Sequence, residues 1–230
     1  MAFRSSTNNP TSIKYHVRYD GKTIETTVTK KSAIVTRWVD EILLLHANTP
    51  KVVVGLDVEW RPHPISSMSN KSATLQLCIN TKCLILQLFY MDEIPQSLKN
   101  FLLNPKFIFV GVEVDRAGPG DFLHRASKIS GPALEVDGDI SKLHNEYGLA
   151  CDKRADIRAM VVKKWPLRYY RKPGLKALAN DVVGLYMSKP MHVCKSNWDA
   201  MELNEEQVEY ACIDAYASYK IAYKLFFESY

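Results

Sequence analysis

Two acidic residues stand two positions apart on a segment that the sequence predicts to be a buried strand. Asp57 and Glu59 interrupt a nearly continuous apolar run over residues 51–60, which is typical of a strand covered on both faces. Alternate residues of a strand point to the same face, so these two carboxylates lie side by side. Buried carboxylates repel each other unless a cation separates them, and oxygen ligands suit Mg²⁺. The pair therefore has the chemistry of a divalent-metal site, although solvated acids at a strand end are the commoner interpretation of such a pair alone.

A second candidate group lies near the C-terminus. Tyr210 and Asp214 are four residues apart and share one face of a predicted helix. Asn204 is a suitable N-cap for that helix, and two glutamates follow it in the first turn. Taken alone, Tyr210 and Asp214 are better explained as a core tyrosine beside a satisfied carboxylate.

The elements that must hold these residues follow an α/β pattern. Alternation around turn residues predicts hairpins, longer apolar runs predict buried strands, and a 3.6-residue period predicts helices. The hairpins span residues 13–29 and 73–89, the strands 51–60 and 107–114, and the helices 32–46, 95–103, 139–147, 156–165, 175–186 and 204–227. We therefore predict a flexible N-terminus over residues 1–12 and a single α/β domain over residues 13–230.

One stretch fits no element. Residues 116–136 contain three glycines and two prolines and show no sustained period. Near-repeats flank the stretch, Val-Glu-Val-Asp ending at Asp115 and Leu-Glu-Val-Asp ending at Asp137. Loops of this length inside compact domains are uncommon. We interpret residues 116–137 as a loop insertion, either genuine or unspliced sequence.

Composition excludes several classes of protein. The chain has 230 residues, of which 47% are hydrophobic and 24% charged, so wholesale disorder and fibrous repeats are excluded. Five cysteines without a C-x-x-C pair give neither a disulfide framework nor a zinc ribbon, and we expect no metal cluster between them and His192. No apolar leader or membrane-length window occurs, so we expect a nuclear or cytoplasmic protein that is not secreted and has no membrane partner. A net charge of +5 permits a polyanionic partner without requiring one.

In their order along the chain, these features resemble the DEDD superfamily of 3′–5′ exonucleases, in the branch with a tyrosine in its third motif. More narrowly, they resemble the Werner syndrome-type exonuclease domain, especially its short plant members. The resemblance runs from about residue 50 to the C-terminus. It is carried by Val54-Gly-Leu-Asp57-Val-Glu59-Trp60, Gly174-Leu-Lys-Ala-Leu178, Ser196-Asn-Trp198 and Tyr210-Ala-Cys-Ile-Asp214. It implies a ribonuclease H-like fold, in which a mixed central β-sheet is flanked by helices and carries an acidic site at its centre.

The resemblance also implies a 3′–5′ exonuclease that hydrolyses phosphodiester bonds at the 3′ ends of DNA, with RNA as the alternative substrate. Two divalent ions, Mg²⁺ or Mn²⁺, would be held by the acidic ligands Asp57, Glu59, Asp139 and Asp214. Asp57 would bridge the two ions, and Tyr210 would orient the attacking water. Asp139 matches the family aspartate that opens a D-x-x-K-L helix. Asp115 remains the alternative, because the insertion separates that helix from its strand.

Two further features are candidates for contact with nucleic acid. Trp60, next to the first acidic motif, is either a stacking platform for a terminal base or a cap on the core. The basic and aromatic run over residues 163–172, which ends at Lys172, either follows the nucleic-acid strand or is a solvated surface. A helicase or DNA-repair protein would have to act in trans. The alternative function is a nucleic-acid or protein-binding module whose catalysis is impaired by the insertion.

Overall fold

The computed structural model describes residues 1–4, 12–65, 68–112, 137–166 and 173–228. Within these ranges the strands are β1 (Ala2–Arg4), β2 (Ser12–Tyr19), β3 (Lys22–Thr29), β4 (Val52–Glu59), β5 (Thr74–Ile79), β6 (Lys82–Gln87), β7 (Phe107–Gly111) and β8 (Arg154–Asp156). The helices are α1 (Ser32–Leu45), α2 (Gln96–Leu102), α3 (Asp137–Tyr147), α4 (Ile157–Lys164), α5 (Leu175–Val183), α6 (Met191–Cys194) and α7 (Glu205–Phe227). The chain is therefore α/β, as the sequence predicts.

The described strands form one mixed sheet in the order β1-β2-β3-β6-β5-β4-β7-β8. Strands β1 to β3 pair antiparallel, as do β6, β5 and β4, whereas β3 with β6, β4 with β7, and β7 with β8 pair parallel. The first hairpin turns at Asp20-Gly21, where both residues have positive φ, as a tight turn matching the strand twist requires. Strand β4 lies inside the sheet, with β5 on one side and β7 on the other.

The two faces of the sheet are covered by different helices. Gly55 faces α7, because a Cβ there would meet the α7 backbone, so the other odd-numbered residues of β4 point to the same side. On the opposite side, Phe101 of α2 packs against Trp38 of α1 and against Phe107 and Phe109 of β7. The two β4 carboxylates therefore lie between the sheet and α7.

Helix α7 is the long central helix of its layer. Its N-terminus carries a capping box, in which Asn204 and Gln207 each accept a hydrogen bond from the other's backbone N–H. Small buried residues along it, including Ala211 and Ala215, let its backbone approach the sheet closely. The helix bounds agree with the prediction, so the positions of Tyr210 and Asp214 on one face are fixed by a rigid element.

The structure differs from the predicted elements at several ends. Ala2–Arg4 pair with β2 and the Ala2 side chain is buried, where we predict a flexible N-terminus; residues 5–11 lie outside the described part of the chain. Residues 154–156 form a short edge strand, and Asp156 caps α4 instead of beginning it. Helix α3 starts at Asp137, two residues before the predicted start. In the ranges described, every helix is too short or too polar to cross a membrane.

Candidate active site

Three carboxylates from two elements converge at the centre of the sheet. Asp57 and Glu59 come from β4, and Asp214 comes from α7. One carboxylate oxygen from each lies within 4.8 Å of the others, a separation that allows one cation to contact all three. Glu59 and Asp214 are each only 3% exposed. The packing of α7 on β4 brings the pair Asp57 and Glu59 next to the pair Tyr210 and Asp214, although more than 150 residues separate the two pairs in the sequence.

The electrostatics of this cluster are those of crowded buried anions. Burial raises the pKa of Asp57 well above its ordinary value, and the charges of Asp214 and Asp139 raise it further. The Asp57 Oδ2 atom is buried without a hydrogen-bond partner among the described residues. A buried carboxylate oxygen without a partner is costly, and a divalent cation would satisfy it. The donor set, three carboxylates with oxygen ligands only, fits Mg²⁺ or Mn²⁺.

Tyr210 lies beside Asp214, one turn earlier on α7. Its side chain is buried against the ring of Trp198, with ring centroids 6.0 Å apart. Burial raises the pKa of the Tyr210 hydroxyl, and the nearby charges of Asp214 and Glu59 raise it further. Burial raises the pKa of the Asp214 carboxyl, and the Lys189 ammonium and the Tyr210 hydrogen bond partly oppose that rise. The phenol therefore stays protonated near neutral pH and serves as a hydrogen-bond donor.

Asp139 approaches the cluster from the first turn of α3. It is partly exposed, and its charge acts on Asp57, which places its carboxylate on the same side of the site. The last turn of α3 is tied to the loop before β5: Glu146 Oε2 accepts from the Ser72 N–H at 2.7 Å, and the Tyr147 hydroxyl donates to the Ser72 carbonyl at 2.6 Å. Lys142 pairs with Glu146 Oε1 at 2.5 Å. These contacts orient the helix that carries Asp139.

The remaining predicted residues are less informative. Trp60 is partly buried and packs against the core, and the Lys142 ammonium lies 5.4 Å from the centre of its ring. That position is compatible with Trp60 as a stacking platform for a terminal base and with Trp60 as a cap on the core. Asp115, Lys172 and all but the last residue of the predicted insertion lie outside the described part of the chain.

Two further residues of the site, Lys189 and Trp198, lie in a family-like stretch of the sequence, but the sequence alone assigns them no role. Lys189 Nζ lies 2.6 Å from Asp214 Oδ2, and it stands 5.3 Å from the centre of the Tyr210 ring. Trp198 is almost fully buried, and its ring packs against the Tyr210 ring. Both belong to segments without a clear period, so only their place in the family-like stretch before α7 could have drawn attention to them.

Comparisons with known proteins show that the chain is similar to 3′–5′ exonucleases. A family model described as 3′-5′ exonuclease matches residues 133–227. A 3′-5′ exonuclease of Arabidopsis thaliana is 29% identical over 170 residues, which cover 73% of this chain and 50% of that protein. The mouse bifunctional 3′-5′ exonuclease/ATP-dependent helicase WRN is 28% identical over 174 residues, which cover 75% of this chain and 11% of that protein. The chain thus spans half or less of the length of these relatives.

The fold also has a solved counterpart. The Escherichia coli exoribonuclease RNase D matches with a TM-score of 0.61 and 13% identity, covering 86% of this chain and 43% of that one. At this identity the likeness concerns the fold alone. It agrees with the ribonuclease H-like arrangement of a mixed sheet flanked by helices.

Proposed function

We propose that this chain, which is related to the 3′–5′ exonucleases, is itself a metal-dependent 3′–5′ exonuclease that acts on nucleic acid. The observation that carries the proposal is the convergence of Asp57, Glu59 and Asp214 at the centre of the sheet, with the charge of Asp139 acting on Asp57. Three carboxylates crowded at one largely buried place, with a fourth nearby, are unfavourable as a purely structural feature. Their assembly is expected of a site that binds divalent cations.

The ligand set divides between two ions. Asp57, Glu59 and Asp214 would hold one ion, and Asp57, whose Oδ2 atom has no hydrogen-bond partner among the described residues, would also contribute to the second. Asp139, which is partly exposed, would hold the second ion together with water. When bound, Mg²⁺ or Mn²⁺ ions lower the pKa of an attacking water and stabilise the charge on the leaving 3′ oxygen.

Tyr210 positions the reacting water in this mechanism. Its raised pKa makes it a poor base, so its role is to donate a hydrogen bond from a fixed place. Trp198 and Lys189 both lie against its ring, which limits the rotation of the side chain. Removal of the Tyr210 hydroxyl would therefore disturb the orientation of the attacking water more than it would affect the deprotonation of that water.

DNA 3′ ends are the substrate that we propose, with RNA as the alternative. Trp60 lies directly after the acidic motif of β4 and is partly exposed, so a terminal base could stack on its ring. A helicase or repair protein would act in trans, in the nucleus or in the cytoplasm. A module that only binds nucleic acid or protein is not favoured, because the acids converge as a catalytic site requires.

The test is a time course on a 5′-labelled duplex with a recessed 3′ end, in Mg²⁺ or Mn²⁺ and in EDTA. We expect a descending ladder of products that disappears in EDTA and in the Asp57→Ala variant. Asp40→Ala is the matched control, because Asp40 is exposed on α1 at the opposite face of the sheet. Unchanged nucleotide release by Asp57→Ala, or release that persists in EDTA, would contradict the proposal. The same ladder assay on single-stranded RNA decides between the two substrates.

A further inference from the structure

Lys189 occupies an unusual place for a lysine. It lies in the segment between α5 and α6, and its Nζ forms a 2.6 Å ion pair with Asp214 Oδ2. The Asp214 side chain is 5% exposed and that of Lys189 is 23% exposed, so water reaches this pair only from one side. An ion pair this short and this buried has a strong electrostatic attraction, because little water screens it.

The other neighbours of the ammonium are also parts of the candidate metal site. Burial by itself would lower the pKa of Lys189, but the charges of Asp214, Asp57 and Glu59 raise it overall. The ammonium also lies 5.3 Å from the centre of the Tyr210 ring, within the range of a cation–π contact. The positive charge of Lys189 therefore lies beside Asp214 and the Tyr210 ring, close enough for Asp57 and Glu59 to act on it as well.

We propose that Lys189 is the resident counter-ion of the metal-free site, and that divalent-metal binding displaces its ammonium from Asp214. This inference rests on the proposed function, since it requires Asp214 to be a metal ligand. The physical reason is that an ammonium and a divalent cation on the same carboxylate repel each other at short range. In the metal-free protein the Lys189 ammonium thus offsets the repulsion between the carboxylates. Because it must be displaced by the metal ion, it also lowers the affinity of the site for that ion.

The experiment measures two quantities for the wild type and for each variant. The first is the affinity for Mn²⁺, followed by the EPR signal of the free ion, and the second is the midpoint of thermal unfolding in EDTA. We expect Lys189→Met to lower the midpoint in EDTA, because it leaves buried carboxylates without their counter-ion. We also expect it to tighten Mn²⁺ binding by roughly tenfold or more, because one short-range repulsion is removed. Lys189→Arg, which keeps the charge, should behave like the wild type. Lys195→Met is the matched control, because Lys195 is exposed six residues further along the chain.

A second measurement uses the unaltered protein and does not depend on the folding of a variant. The ammonium NMR signal of Lys189, assigned by its loss in Lys189→Arg, should shift when Mg²⁺ is added, whereas that of Lys195 should not. An unmoved Lys189 signal at saturating Mg²⁺, or Mn²⁺ binding that is equal or weaker in Lys189→Met, would overturn the inference. Failure of the proposed function gives a different result from failure of this inference. If there were no metal site, Mn²⁺ binding by the wild type would be absent or would be unchanged by the Asp57→Ala substitution.

Discussion

The sheet side of the carboxylate cluster is held by backbone packing, whereas its α3 side is held by side-chain contacts. On the sheet side, Asp57 and Glu59 share one face of β4, and Asp214 faces them from α7. On the other side, Asp139 depends on a helix that is held by buried apolar side chains and by the polar contacts of Glu146 and Tyr147 with Ser72. The difference indicates that the fold fixes the three carboxylates on β4 and α7, and that the position of Asp139 can be adjusted.

The backbone packing on the sheet side centres on Gly55. A Cβ added at this residue would overlap the carbonyl oxygen of Ala215 and would lie 2.8 Å from the backbone nitrogen of Tyr219. The obstructing atoms are backbone, so no flexible side chain can move away. The close approach of α7 to β4, and with it the distance between Asp57 and Asp214, therefore requires glycine at this position.

The largest effect is expected from Gly55→Ala. Because α7 must move away from β4 or the strand must distort, we expect a loss of about 3 kcal/mol in the free energy of unfolding. We also expect loss of nuclease activity, since the ligands separate. Urea denaturation followed by circular dichroism measures the first effect. Gly174→Ala is the control, because a Cβ there meets no atom within 4 Å. Equal free energies of unfolding for Gly55→Ala and Gly174→Ala would show that the close backbone packing of α7 on β4 does not hold the sheet side of the carboxylate cluster.

Asp139→Asn is expected to have the second largest effect. If Asp139 holds the second ion, the substitution lowers the rate of nucleotide release at least about 100-fold, which corresponds to roughly 2.7 kcal/mol of transition-state stabilisation. Its thermal midpoint should change little, because the residue is partly exposed. Asp115→Asn is the paired variant and should stay active. An active Asp139→Asn variant together with an inactive Asp115→Asn variant would show that Asp115 is the ligand and that α3 does not contribute to the metal site.

The sequence predicts the two sides to different extents. Asp57 with Glu59 follows from the two-residue period of a strand, and Tyr210 with Asp214 follows from the four-residue spacing of a helix, so local periodicity fixes the direction of these side chains. Lys189 could not be predicted in this way, because it lies between α5 and α6, where tertiary packing alone determines its position. Strands β1 and β8 are also beyond prediction from periodicity, since three residues show no period.

The smallest of these effects is expected from Glu146→Ala, which tests whether α3 only positions Asp139. The variant removes the contacts with the Ser72 N–H and with Lys142, but no ligand. We expect a decrease of roughly tenfold in nuclease activity, because the helix that carries Asp139 loses contacts that orient it and the carboxylate is displaced slightly. The activity should recover in part at high Mn²⁺, because the ligand itself is intact. Glu202→Ala, at an exposed position, serves as the control. If Glu146→Ala instead abolished activity at every Mn²⁺ concentration, α3 would be as rigid a part of the site as β4 and α7, and the two sides would not differ.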